Sequence, residues 1–140
     1  MLGMTRWLVL GTLLFATTLR ADDWPQWRGE KRDGVWRESG IVEQLPAKPK
    51  FKWTTKIGAG YAGPAFADGL VYVTDRLLSQ GQQNPDDPFS KEAVGGSERI
   101  LCLDANSGAI LWKHEYPCRY TVSYPAGPRA TPTIHDGKVY

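Results

Sequence analysis

A nine-residue segment occurs twice in this chain of 140 residues, and the repeat limits the folds that the chain can adopt. Residues 64–72 (PAFADGLVY) and 132–140 (PTIHDGKVY) lie sixty-eight positions apart. Each copy places an Asp-Gly dipeptide between alternating apolar residues, and Asp-Gly favours a two-residue β-turn because both positions tolerate a positive φ. Self-similarity at a fixed period indicates a repeat architecture. The sequence therefore predicts a β-hairpin in each copy.

A second match places a tryptophan at the same point of a predicted strand in each repeat. Residues 51–56 (FKWTTK) align with residues 110–115 (ILWKHE), so that Trp53 corresponds to Trp112. Residues 99–112 (RILCLDANSGAILW) predict two strands joined by a turn, because Asp, Asn, Ser and Gly favour turns. Six Trp, fifteen Gly and ten Pro in the chain also favour short strands joined by tight turns. We therefore expect an all-β fold.

The turn before Trp112 contains the motif of a known repeat family. Residues 103–112 (LDANSGAILW) resemble the tryptophan-docking motif of pyrroloquinoline-quinone (PQQ) repeat proteins, and Ser107 stands where that family usually has Thr. The resemblance implies a β-propeller of four-stranded antiparallel blades, in which a large aromatic side chain fills the space between neighbouring blades. It also implies a structural docking role for four residues: Trp53, Ala105, Gly108 and Trp112.

The same resemblance predicts how the chain divides into blades. Residues 22–50 would be an N-terminal extension that contributes to the closing blade, and residues 51–57 an outer strand of that blade. The four strands of one blade are then expected at 62–68, 70–75, 99–104 and 109–115, and the next blade starts at 131–135 and from residue 138. Residues 51–140 thus supply about one and a half blades, whereas propellers close with about 4–8. We expect the propeller to continue beyond residue 140, which makes this chain an N-terminal fragment.

Residues 1–21 have the three regions of a signal peptide in order. Arg6 precedes an apolar run from Trp7 to Leu19, and Arg20 ends this run before the roughly 20 apolar residues that a membrane-spanning helix needs. Ala21 supplies a small residue for cleavage. We therefore expect an exported protein, periplasmic or extracellular, whose mature chain begins near Asp22 and has no transmembrane helix.

Several patterns that could indicate chemistry have a structural explanation. Residues 58–63 (GAGYAG) match the dinucleotide-binding fingerprint, but Pro64 and a predicted strand follow instead of the helix that the fingerprint requires. His114 and His135 have no second ligand at a zinc-site spacing, and no Ser, His and Asp set can be assembled. The net charge of +2 gives no basic stripe for nucleic acid. We assign no catalytic residue and no metal site, and expect no nucleic-acid partner.

The two cysteines, Cys102 and Cys118, could form a disulfide in an exported protein. Their spacing argues against it. If Cys102 faces Leu111 in the strand pair, Cys118 lies roughly 23 Å further along at ~3.3 Å per residue. A disulfide requires Cα atoms within about 7 Å. We expect Cys102 to be a small buried hydrophobic residue instead.

Two long insertions, residues 76–98 and 116–130, follow the second and fourth strands of the predicted blade. Loops at these places emerge on the same face of a blade, and long loops on a rigid scaffold often hold binding sites. Arg129 enters the innermost strand, nearest the central channel of a propeller. The candidate ligand-binding residues all lie in the second insertion: Arg119, Tyr120, Tyr124 and Arg129.

These features leave two functions open. The first is a non-catalytic binding or scaffold propeller of the cell envelope, similar to the propeller of the outer-membrane assembly machinery, with an envelope protein or polymer as partner. The second is a quinoprotein dehydrogenase of alcohols or sugars, for which the resemblance implies PQQ and calcium on the channel axis and an arginine, here Arg129, near the quinone. The repeat motif is structural and does not imply the cofactor. We favour binding and leave the cofactor unassigned.

Overall fold

The computed structural model describes residues 22–140, and the expected signal peptide lies outside these residues. The described chain is all-β, with six strands and no helix. It therefore contains no helical segment of the length and hydrophobicity that crossing a membrane requires.

Four strands form one antiparallel sheet in chain order. They are β1 (Ala65–Ala67), β2 (Leu70–Leu78), β3 (Gly96–Asp104) and β4 (Ile110–Pro117), and a separate hairpin contains β5 (Ile134–His135) and β6 (Lys138–Val139). The four-stranded antiparallel sheet confirms the strands expected within one repeat. β2 and β3 are longer than expected, which shortens the first insertion to residues 79–95. The second insertion runs over residues 118–133.

Both Asp-Gly hairpins form as the sequence predicts. Asp68 and Gly69 have φ values of 53° and 77°, and Asp136 and Gly137 have values of 47° and 68°. The pairs Ala67 with Leu70 and His135 with Lys138 close the two turns. Positive φ at both central positions is the geometry of a type I′ turn, whose twist matches that of the flanking strands.

The two faces of the sheet bury separate apolar clusters, because side chains alternate between faces along each strand. On one face, buried Tyr72 and Cys102 pack with the alanines of β1, and Ile134 and Val139 of the second hairpin cover them. On the other face, Val73, Leu101 and Leu103 are buried. The expected burial of Cys102 is confirmed, and both cysteines are free thiols.

The expected register between β3 and β4 is wrong by one residue. Cys102 pairs with Trp112 rather than with Leu111, while Leu103 pairs with Ile110. Leu111 is therefore the extra residue of a β-bulge, which has no partner on β3. The bulge moves Trp112 onto the face that contains Tyr72, and the two ring centroids lie 6.1 Å apart.

The segments outside the sheet also differ from the expected blade plan. Residues 51–57 form no strand in the described structure. Trp53 and Thr55 of this segment bind the turn between β3 and β4, and no described strand pairs with the segment. The N-terminal extension reaches the four-stranded sheet directly: Trp24 forms an isolated bridge with Phe66 of β1. The carbonyl of Pro25 then accepts a hydrogen bond from Ile134 of β5, 2.8 Å away, which joins the two sheets.

Candidate functional site

Two charged residues, Asp75 and Arg76, are buried near the middle of β2. The Asp75 carboxylate accepts hydrogen bonds from the Arg99 guanidinium, with a distance of 2.8 Å to Nε, and from the backbone N–H of Gly58. The hydrogen bond to Asp75 raises the pKa of Arg99 above its ordinary value. A buried carboxylate needs such partners, because an unpaired charge in an apolar interior is very costly. The pair therefore fixes the segment around Gly58 against β2.

The guanidinium of Arg76 connects the two insertions. Its Nη2 donates to the carbonyl of Val94 at 2.8 Å, in the first insertion, and its Nη1 donates to the carbonyl of Pro125 at 3.1 Å, in the second. The Tyr120 ring covers the guanidinium, with Cζ 4.1 Å from the ring centroid. Carbonyl dipoles and an aromatic face both stabilise a buried cation. Arg76 is thus the internal support of the loops above the sheet.

The two insertions also contact each other directly. Val94 and Tyr120 exchange two backbone hydrogen bonds of 2.9 Å each. The rings of Phe89 and Tyr124 meet edge to face with centroids 5.2 Å apart, a favoured aromatic arrangement. The predicted sharing of one face by the two insertions is therefore confirmed. We call residues 79–95 and 118–133 together the loop surface.

Glu98, at the base of the loop surface, accepts hydrogen bonds from the hydroxyls of Tyr116 and Tyr120. The hydrogen bond to Glu98 raises the pKa of Tyr116 to about 12. Burial, followed by the same carboxylate, raises the pKa of Tyr120 as well. Both phenols therefore remain donors to Glu98 further into the alkaline range than an ordinary tyrosine.

The loop surface contains the four ligand-binding candidates, in different settings. Arg129 donates from Nη2 to the carbonyls of Ser123 and Tyr124, at 2.7 and 2.8 Å. Its Cζ also lies 5.3 Å from the centroid of the Tyr61 ring. Tyr124 is exposed, as is Arg119, whereas Tyr120 is half-buried over Arg76. The structure thus brings Arg129 and Tyr124 into direct contact.

Three residues escaped the sequence analysis: Phe89 of the loop surface, and Arg76 and Glu98, which contact it from β2 and β3. Arg76 and Asp75 interrupt an otherwise mostly apolar strand, and a charged pair in such a strand is a signal of buried hydrogen bonding. Phe89 is the one aromatic residue of the first insertion, within a stretch of polar residues and prolines. An exposed aromatic residue in a polar loop is a usable signal for a contact surface.

At the opposite end of the sheet lies the turn with the docking motif. The indole of Trp53 rests on this turn so closely that a Cβ added to Gly108 would lie 2.5 Å from the ring. Thr55 donates to the carbonyl of Gly108 at 2.6 Å. Trp112 does not join this contact: it is 42% exposed beside Tyr72, because little else covers that side of β4 in the described part of the chain. Three of the four docking residues therefore meet: Trp53, Ala105 and Gly108.

The glycine-rich segment 58–63 serves a close backbone approach. Ala59 pairs with Arg76 of β2, and a Cβ added to Gly58 would lie 2.4 Å from the Arg76 carbonyl oxygen. Tyr61 and Ala62 both donate to the carbonyl of Pro128, at 2.8 and 3.1 Å. The segment leads into a strand, as the argument against dinucleotide binding requires.

Comparison of the chain with protein-family models, with curated proteins and with solved structures finds no match. Within residues 22–140, no group of three or more His, Cys, Asp or Glu side chains is arranged to hold a metal ion. The functional argument therefore rests on the loop surface itself.

Proposed function

We propose that this protein is an exported, non-catalytic β-propeller of the cell envelope whose loop surface binds an envelope protein or polymer. The observation that carries the proposal is the way in which two separate insertions pack into one ordered surface over a buried arginine. An ordered surface binds with a smaller entropy cost than two mobile loops, because its side chains are already positioned.

The loop surface presents an exposed pair of aromatic rings, Phe89 and Tyr124, among mostly polar side chains. Phe89 is 65% exposed, Val122 and Tyr124 are also exposed, and the exposed Tyr61 ring lies next to the surface beside Arg129. Aromatic side chains are enriched at protein interfaces, and a cluster of exposed apolar side chains marks an interaction site. This composition supports recognition of a partner.

Two charged side chains at the loop surface, Glu98 and Arg129, are engaged in hydrogen bonds within the protein. Glu98 accepts hydrogen bonds from two tyrosine hydroxyls, and Arg129 donates to two backbone carbonyls. Groups that transfer protons to a substrate need a hydrogen-bonding position that the substrate can reach. The observed bonds instead stabilise the shape of the surface, which favours binding over catalysis.

The architecture and the compartment rest on further features. A four-stranded antiparallel sheet followed by the start of a second hairpin matches a propeller blade and its successor. Trp53 precedes the sheet in the chain and contacts the turn between β3 and β4. Packing between neighbouring blades requires a contact of this kind. Residues 1–21 support export.

Photo-crosslinking in intact cells tests the proposal. A photoreactive amino acid replaces Phe89 in the full-length protein, and the control carries it at Phe51, which is 83% exposed and adjoins the residues that lie on the turn at the opposite end of the sheet. We expect one discrete adduct from position 89, absent from position 51 and lost with Tyr124→Ala. Equal adducts from both positions would contradict the proposal. So would oxidation of alcohols, coupled to dye reduction, after loading with PQQ and calcium.

A further inference from the structure

A cleft lies beside the Asp68-Gly69 turn, at the end of the sheet opposite the loop surface. Its volume is about 470 Å³, within the 300–1,000 Å³ typical of ligand sites. A second, apolar cavity of about 380 Å³ shares Trp24 and Trp36 with the cleft and extends to Phe66. The side chains that matter for binding in the cleft are Asp22, Asp23, Trp24, Glu30, Trp36 and Arg37.

The first wall of the cleft is fixed by backbone contacts. Trp24 exchanges two hydrogen bonds with Phe66 of β1, of 2.8 and 2.9 Å. The Asp23 carboxylate accepts a hydrogen bond from the N–H of Asp68 at 3.1 Å. A Cβ added to Gly29 would lie 3.0 Å from the Trp24 ring, so the ring packs directly on the backbone there. The position of the Trp24 indole is therefore set before any ligand binds.

The second wall is a loop held by its own hydrogen bonds. The Asp33 carboxylate binds the Arg37 guanidinium and accepts the N–H of Val35 at 3.0 Å. Arg28 and Arg32 have positive φ values of 65° and 57°. Such conformations are unfavourable for residues other than glycine and persist where surrounding contacts determine them. This loop therefore presents Trp36, which is 59% exposed, in a defined place.

The hydrogen-bonding groups and the indoles of the two walls indicate the class of ligand. Ionised carboxylates only accept hydrogen bonds and a guanidinium only donates them, so a ligand that satisfies both must carry groups that do both. Hydroxyl groups do so. The indoles of Trp24 and Trp36 line the same cleft, and an indole packs well on a flat apolar surface such as the axial C–H groups of a pyranose ring with equatorial substituents. We propose that the cleft binds a saccharide whose pyranose rings have equatorial substituents.

This assignment is independent of the loop surface, which lies at the other end of the sheet and has no residue in common with the cleft. An organic cation could also contact an indole face and a carboxylate. A quaternary ammonium ion has no N–H or O–H to donate to the three carboxylates that line the cleft, whereas a hydroxyl donates to them and accepts from Arg37 as well. The observations therefore favour the saccharide.

Tryptophan fluorescence and calorimetry of the full-length protein test the assignment, with cellohexaose, chitohexaose and tetramethylammonium chloride as probes. We expect at least one hexasaccharide to bind and to change the fluorescence. Trp36→Ala should weaken binding at least tenfold. The matched control is Trp27→Ala, since Trp27 lies in the same loop, is 67% exposed and does not line the cleft; it should change affinity less than twofold.

A second variant distinguishes a loss of binding from a loss of folding. Glu30→Gln keeps the shape of an exposed side chain and should weaken saccharide binding several-fold, with an unchanged melting temperature. Three results would overturn the assignment: no response to either hexasaccharide, equal losses from Trp36→Ala and Trp27→Ala, or tighter binding of tetramethylammonium than of the saccharides.

Discussion

The indole Nε1 of Trp53 donates a hydrogen bond to the carbonyl oxygen of Ala105, 2.9 Å away, although fifty-two residues separate them in the chain. The turn that receives the indole is itself ordered by Asp104. The Asp104 Oδ1 accepts hydrogen bonds from the Ser107 hydroxyl and from the N–H groups of Asn106 and Ser107, the last two at 3.0 and 2.7 Å. The bond from the Ser107 hydroxyl, followed by those from the backbone, lowers the pKa of Asp104. The contact joins a segment before the sheet to the turn between its last two strands.

Removing the Trp53 side chain should destabilise the full-length protein. A buried Trp→Ala change costs about 3–5 kcal/mol, and we expect about 2–3 kcal/mol because Trp53 is half-buried. Trp53→Phe keeps most of the packing and loses one hydrogen bond, for about 1 kcal/mol. The midpoint of urea unfolding measures both changes. Equal costs for Trp53→Ala and Trp27→Ala would show that the contact with the turn contributes nothing.

The glycine at the same contact gives a steric test. Gly108 and Gly137 have similar φ values of 71° and 68°, but only at Gly108 would an added Cβ meet the Trp53 ring, at 2.5 Å. Gly137→Ala should therefore cost only the backbone penalty of about 1–2 kcal/mol. Gly108→Ala should cost at least that much again, and Trp53→Ala should relieve the part of the excess due to the ring, since the added Cβ would also lie 2.7 Å from Thr55 Oγ1. Thermal unfolding of the two alanine variants measures the difference, and equal melting temperatures would contradict the observed packing.

The buried carboxylate on β2 should be essential for stability. Asp75→Asn leaves Arg99 without its carboxylate partner in a largely buried position, and breaking a buried ion pair costs about 3–5 kcal/mol. Asp33→Asn also removes a carboxylate from an arginine, but that pair is exposed to solvent and its loss should be much smaller. Chemical unfolding of both variants measures the difference. A larger loss for Asp33→Asn would contradict the assigned burial.

The tyrosines that bind Glu98 predict the behaviour of the protein in alkali. An unfolded tyrosine has a pKa near 10, and the folded pKa of Tyr116 is about 12, so the folded state holds the phenolic proton more tightly. This contribution to stability is complete below pH ~10 and is lost as the pH rises towards ~12. Absorbance at the phenolate band during alkaline titration measures the ionisation of these tyrosines. Glu98→Gln should bring the transition back towards pH ~10, and an unchanged transition would exclude the carboxylate as its cause.

The parts of the fold that depend on local chemistry could be predicted from the sequence. Asp68 and Gly69 specify their own turn, because both tolerate a positive φ, and the alternation around them specifies the strands. The register of β4 could not be predicted in this way. The bulge at Leu111 changes which residue faces Cys102, and nothing in the local pattern marks it.

The candidate sites were predicted less well, because long-range contacts build them. The insertions identify Tyr124 and Arg129, but Arg76 supports them through a carbonyl of Pro125, forty-nine residues away. Likewise, Trp24 and Trp36 line a common cleft in which Trp24 is held by its pairing with Phe66 of β1, forty-two residues away. Turn chemistry and strand alternation contain no information about such pairs.

The affinity of the full-length protein for the partner captured at position 89 tests the proposed binding surface most directly. Phe89→Ala removes the most exposed aromatic side chain of the loop surface, and truncation of a central interface residue costs about 2 kcal/mol or more. We therefore predict at least a tenfold weaker affinity for Phe89→Ala, with only a small decrease in melting temperature from the lost contact with Tyr124, and less than a twofold change for Phe51→Ala. Equal affinities for Phe89→Ala and the unaltered protein would contradict the assignment of the loop surface as the binding site.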